Sequence, residues 1–197
     1  MSRLNREFFD RDTLDVARDL LGQRLVRVHG GQRISGRIVE VEAYIGEDDQ
    51  ACHARSGRTR RNAPMYGPPG HAYVYFVYGM HHLFNVVTER EGFPAAVLIR
   101  ALEPVEGIET MRQRRGGRMQ GRLLTGGPAR LCQALDIDLA FNGLDLCGPG
   151  AELFLEAGEA IPDDDLVTGP RIGVRGDDAA VRMAWRFVDR RSPYVSR

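Results

Sequence analysis

Glu42 and Tyr44 stand two residues apart in the run RIVEVEAYI, which alternates as a strand does. Alternate residues of a strand share a face. Ile38, Glu40, Glu42 and Tyr44 are therefore expected on one face, and Val39, Val41 and Ala43 on the other. A carboxylate beside an aromatic ring could serve as a general base next to a stacking platform. A solvated surface glutamate would show the same spacing. A second aromatic run, Tyr73 to Tyr78, puts Tyr73, Tyr75 and Val77 on one face and Val74, Phe76 and Tyr78 on the other. Tyrosines suit the core of a half-buried sheet. At a hairpin tip they also suit a wedge between base steps, and one step back a platform for an extruded base. Arg100, alone in AAVLIRAL, must pair with a carboxylate or reach out to water. Glu40 or Glu42 could be its partner across a sheet, and a purely structural salt bridge would explain it equally well. His53, His71, His81, His82 and Cys52 match no common ligand spacing, so no metal is expected.

The charge distribution bears on the partner. Net charge is zero, yet residues 51–130 hold twelve Arg against five Glu, while residues 131–180 hold two Arg against eleven acids. A neutral chain can still present one basic face, because phosphate contact is local; charges scattered by chance would look similar. Every one of the 27 basic residues is Arg. Arg forks match phosphate oxygens and never deprotonate, although a GC-rich genome gives the same bias. Without lysine there is no side-chain amine for a Schiff base. Cys52, Cys132 and Cys147 form no CxxC pair, which argues against a disulfide framework and fits a reducing cytosol. No apolar run approaches the roughly 18 residues of a spanning helix, and the charged MSRLNREFFDRD is not expected to be a signal peptide.

The elements that must position these residues read as α+β. A short helix is expected over Thr13–Leu21, capped by Asp12 and stopped by Gly22. A hairpin joins Arg24–His29 to Arg33–Tyr44 around Gly30-Gly31, and the glutamate strand is expected to be half buried, its polar face toward solvent or a cleft. Residues 46–70 form a long Arg-, Gly- and Pro-rich loop, functional or disordered. Two strands follow about a turn near Gly79, then a strand over Ala95–Leu102 and a helix over Glu103–Arg114 with Pro104 near its first turn. Residues 115–126 read as a basic loop and Pro128–Leu135 as a helix. Weak strands are expected near Leu153–Leu155, Arg171–Val174 and Trp185–Val188. No repeat or linker appears, so residues 1–197 are read as one mixed domain with a curved, mostly antiparallel sheet.

Several strings in order carry a resemblance: GRIVEVEAYIGEDDQACH, YVYFVYGMHHLFNVV, AVLIRALEPVEGIETMR, GGPARLCQAL, RIGV and RSPYVS. Over roughly Leu4 to Ser196 the chain resembles the alkyladenine (3-methyladenine) DNA glycosylase family of the mammalian type. The resemblance implies one α+β domain with a protruding β-hairpin that inserts into DNA. It also implies excision of alkylated and deaminated purines without a cofactor. The catalytic base falls on Glu42. Arg100 would help hold the attacking water, as would the backbone carbonyl of Ile172. The base-binding residues fall on Tyr44, His53, Tyr75 and Asn85, the last disfavouring normal guanine. Tyr78 and Met80, in YGM, would contact DNA at the hairpin tip, Tyr78 by intercalating. Arg58 and Arg61 would face phosphates, in a loop one residue shorter than the vertebrate pattern. His81-His82 replaces an aromatic pair.

The expected activity is that of a monofunctional glycosylase, a monomer acting in the cytoplasm on double-stranded DNA that contains damaged purines, with no membrane partner. A DNA-binding protein without catalysis and a bifunctional glycosylase-lyase stand beside it. For the latter, the amine of Met1 or a proline amine would have to replace lysine.

Overall fold

The computed structural model describes residues 2–196. Two short helices, α1 (Arg6–Phe9) and α2 (Thr13–Leu20), precede β1 (Arg24–His29), β2 (Gln32–Ile45), β3 (Ala72–Val77), β4 (His81–Val87) and β5 (Ala95–Glu106). Then come α3 (Ile108–Arg114), α4 (Arg122–Thr125), α5 (Pro128–Leu135), β6 (Leu153–Glu156), β7 (Leu166–Gly169), α6 (Asp178–Arg182) and β8 (Arg186–Asp189). The class is α+β, and the strands form one open sheet in the order β3-β4-β5-β2-β1-β6, with antiparallel pairing throughout the described residues. One edge of β2 is shared: β1 pairs with residues 32–37 and β8 with residues 40–42, and β8 then carries β7.

Local chemistry explains the elements. Gly30 and Gly31 take φ of 56° and 79°, the left-handed pair that a tight hairpin turn requires. Asp12 caps α2 by accepting the amides of Leu14 and Asp15, a contribution of about 1 kcal/mol. The inner face of α2 (Val16, Ala17, Leu20) joins Leu25, Ile99 and Phe84 in the main core. Each of these side chains larger than alanine contributes roughly 1.5–3 kcal/mol by leaving water.

The structure corrects several expectations. β2 is not half buried; from Ile38 to Ala43 every residue is fully buried. Nor does simple alternation hold. Ile38 lies in the main core with Val41 and Ala43, so two consecutive residues, Val39 and Glu40, fall outside it. On β5 the same happens between Ile99 and Leu102, where Arg100 and Ala101 are the pair outside. The ladder is irregular at this point on both strands, Glu40 lying opposite Ala101. A bulge re-aims side chains in this way.

Glu103–Glu106 extends β5 instead of starting a helix, and α3 begins after Gly107, whose φ is 68°. Pro104 is tolerated because β5 lies at an edge there: β4 pairs only with residues 96–98. Residues 171–174 are not a strand; β7 ends at Gly169, and Gly173 has φ 70°. The loop 46–70 is neither open nor structureless. It contains a 3-10 turn over Ala63–Tyr66, and Cys52, Ala54, Met65 and Tyr66 pack with Tyr73, Val87 and Ala96 in a second small core. Buried Asn62 ties it together, donating to the carbonyls of His53 and Gly57 and accepting the amide of Thr59. The stretch 115–126 contains α4. Among the described residues no helix is long and apolar enough to cross a membrane.

Candidate active site

The double bulge sets Arg100 against both glutamates. Its Nε donates to Glu40 Oε1 at 3.0 Å and its Nη1 to Glu42 Oε2 at 3.2 Å. Glu42 has no exposed surface and accepts two further bonds. The Tyr44 hydroxyl donates to Oε2 at 2.8 Å, and the amide of Ile172 donates to Oε1 at 2.6 Å. Ile172 therefore meets Glu42 through its N–H; its carbonyl, expected to face the water, belongs to the next peptide unit. Glu40 accepts four bonds: Arg100, Arg186 and the Ser196 hydroxyl donate to Oε1, and the Ser196 amide donates to Oε2.

Above Glu42 opens a cleft of about 680 Å³. Tyr44, Arg100 and Ile172 belong to its lining, so the three residues that hold Glu42 separate it from the open space. Tyr75, His53, Asn85 and Leu98 form further wall, and Tyr78 and His81 stand at the hairpin end. Asn85 is buried and donates to the Tyr73 carbonyl at 2.9 Å. Burial, then the charge of Glu42, pushes the Tyr44 and Tyr75 phenols above their ordinary range, which keeps both neutral. The Arg171 guanidinium lies 4.8 Å from the centre of the Tyr44 ring and is not part of the cleft lining, so it backs the ring.

His53 accepts or donates at Nδ1 to the Tyr73 hydroxyl at 2.8 Å and rests against Tyr75. Part of the residue stays exposed. Desolvation by its neighbours, then the charges of Arg61 and Arg55, pushes the imidazole down to about 4. A neutral ring at neutral pH does not repel a cationic base.

Tyr78 crowns the β3–β4 hairpin with φ 53° and is 88% exposed, which excludes core packing for this residue. Met80 is 68% exposed beside it. Arg61 lies 5.5 Å from the centre of the Tyr75 ring and lines the cleft; Arg58 instead lies over Tyr66 and does not. Sequence reasoning missed Arg55 and Arg175, which also line the cleft. Among the described residues neither they nor Arg61 pair with a carboxylate, whereas Arg18, Arg33, Arg37 and Arg190 all do. The zero net charge therefore coexists with unneutralised guanidiniums at the cleft.

A family model described as methylpurine-DNA glycosylase matches residues 7–193. The chain belongs to the methylpurine-DNA glycosylase family. A relative from Methanocella arvoryzae, named provisionally as a 3-methyladenine DNA glycosylase, is 52% identical over 100% of this chain and 97% of its own. Relatives of the same name from Carboxydothermus hydrogenoformans and Streptomyces avermitilis are each 50% identical over 98% of this chain, and over 98% and 90% of their own. As a methylpurine-DNA glycosylase, the protein is a DNA-repair hydrolase of base excision repair, and DNA is its partner.

Proposed function

We propose that this glycosylase extrudes an alkylated or deaminated purine from double-stranded DNA and hydrolyses its N-glycosidic bond with water activated by Glu42. The carrying observation is a fully buried carboxylate, held by Tyr44, Arg100 and Ile172, beneath a cleft walled by aromatic rings. A carboxylate has about four lone-pair positions. Three are taken, and the one left on Oε1 is available to a water. Arg100, which lines the cleft and bonds Oε2, holds the carboxylate as the water approaches Oε1.

Exposed Tyr78 and Met80 fill the gap left in the duplex, offsetting an unstacking cost of a few kcal/mol. The extruded base stacks on Tyr44, Tyr75 and His53, at about 1–3 kcal/mol per base. A cationic methylated purine gains roughly 0.5–2 kcal/mol more from the rings. Asn85 disfavours guanine, and Arg58 and Arg61 meet phosphates. As the C1′–N bond breaks, its electron pair leaves with the purine and the sugar becomes oxocarbenium-like. Glu42 takes a proton from the water whose oxygen bonds to C1′, and its charge stabilises the sugar. Cationic 3-methyladenine and 7-methylguanine leave as neutral molecules. Hypoxanthine and ethenoadenine need a proton, and Glu40, fully buried and outside the cleft lining, is not the donor. The chain works as one domain of mammalian-type active-site pattern, as a monomer without cofactor, on DNA in the cytoplasm.

The test is a panel of duplexes carrying each of these four lesions, followed in single turnovers. Glu42→Gln lowers base release on the order of 10²–10⁴-fold while lesion binding persists. Release within about tenfold of the parent enzyme overturns the role of Glu42. The product strand stays uncut until alkali is added, and borohydride traps no adduct, because no lysine exists to form one. Met1, the alternative amine, lies outside the described residues. A trapped adduct overturns the monofunctional reading.

A further inference from the structure

Arg171 is a fully buried cation that binds four separate parts of the fold. Its two terminal nitrogens hold Asp49 at 2.6 and 2.7 Å, and Asp49 is equally buried. Nη1 also donates to the carbonyl of Ala43 at 2.9 Å, between Glu42 and Tyr44 on β2. Nη2 donates to the carbonyl of Ala180 in α6 at 3.1 Å. The guanidinium lies between two rings, 4.8 Å from the centre of Tyr44 and 5.1 Å from that of Trp185. The next residue in the chain, Ile172, gives Glu42 its only contact on Oε1 among the described residues.

These contacts form one chain of support. The backbone of residues 171–174 belongs to no strand, so no ladder fixes the Ile172 amide. What fixes it is the side chain of the preceding residue, anchored in the same β2 segment that carries Glu42. A peptide bond is planar, so the Cα of Arg171 and the Ile172 N–H belong to one rigid unit, and with the Arg171 side chain anchored, rotation about its Cα–C bond is the main freedom left to the amide. A fork that satisfies a carboxylate bidentately and two carbonyls besides cannot be reproduced by an ammonium. Burying such a pair is otherwise expensive, because two charges leave water; both terminal nitrogens are bonded, and Nε is buried without a partner among the described residues.

We propose that Asp49 and Arg171 are a positioning pair for the glycosylase reaction, presenting the Ile172 amide to Glu42 Oε1 and so fixing which lone pair of Glu42 faces the water. The inference rests on the reading of Glu42 as the base. Arg171 touches neither substrate nor water; it acts through Ile172 and Glu42.

Arg171→Lys retains the ion pair with Asp49 and loses the fork. Single-turnover base release from a 7-methylguanine duplex should fall roughly ten- to hundredfold, the scale of a displacement near 1 Å. Binding of the same duplex should stay within about threefold, because the stacking rings and phosphate contacts are retained. Effects of residues that act as a unit do not add. In a Glu42→Gln background, Arg171→Lys should therefore change the residual rate by less than about twofold. The doubly neutral Asp49→Asn, Arg171→Met variant, which leaves no lone buried charge, should repeat the pattern and covers a folding failure of the first. An equal rate loss with and without Glu42 overturns the proposal and makes the pair a purely structural brace. A Glu42→Gln enzyme of near-normal rate overturns the role of Glu42 instead, which keeps the two failures distinct.

Discussion

The imidazole of His53 rests edge-on against the ring of Tyr75, centroids 4.5 Å apart and planes at 74°. Rings in contact leave no slot for a purine between them, so a base stacked there requires His53 to swing aside. The tether to be broken is the bond of Nδ1 to the Tyr73 hydroxyl. Tyr73→Phe retains the ring and removes the tether. Base capture, followed by the fluorescence of ethenoadenine on rapid mixing, should become faster, at a stability loss of about 1 kcal/mol. An unchanged capture rate would show that this bond does not gate the slot.

The same histidine gives stability a pH dependence. It titrates near 6.5 in the unfolded chain and near 4 in the folded one. Between those values the unfolded chain binds more protons, so stability is full above the upper value and falls as pH drops toward the lower. Because His53 retains contact with solvent, the effect is smaller than the shift alone implies. His53→Gln should flatten the Tm-against-pH curve through this window relative to the parent, and parallel curves would contradict the argument.

Tyr78 is so exposed that its loss leaves the fold intact. Tyr78→Ser should shift Tm by no more than the equivalent of about 0.5 kcal/mol. Excision should fall most for lesions paired in a regular duplex and least for lesions in mismatches, where less stacking has to be replaced. Equal losses in both contexts would remove the wedge role.

Arg100 bonds two carboxylates that have no exposed surface and is the one cation paired with Glu42 among the described residues. Arg100→Ala leaves Glu42 without a cation, while Glu40 retains Arg186 and Ser196, and a loss of about 3–5 kcal/mol is expected on chemical denaturation. Arg100→Ala with Glu42→Gln should recover much of that stability while remaining inactive. A single variant as stable as the parent would mean that Glu42 takes up a proton or finds another donor.

Much of this was legible in the sequence wherever the signal is local. Gly30-Gly31 marks its hairpin, Asp12 its helix, and the isolation of Arg100 in AAVLIRAL announces a carboxylate partner. The long-range supports were not. Arg171 finds Asp49 across 122 positions and Ser196 finds Glu40 across 156, and no period or spacing encodes either pairing. The irregularity at Val39–Glu40 also escapes a strand pattern, because alternation presumes a regular ladder and the departure involves both strands at once. The helix expected from Glu103 failed for a related reason: Pro104 reads as a helix start until the neighbouring edge is known to be empty.

The paired bulge has a consequence for insertions and deletions. Core residues flank it symmetrically, Ile38 opposite Leu102 and Val41 opposite Ile99, so each strand carries one residue more than regular alternation needs. Losing a residue from one strand alone throws every side chain beyond that point to the wrong face. Losing one from both restores an ordinary ladder with the hydrophobic faces in phase. Such a doubly shortened chain should fold as well as the parent, yet have nowhere to seat an arginine between two glutamates. In this sheet a register error and its compensation lie side by side, and the chemistry occupies the gap between them.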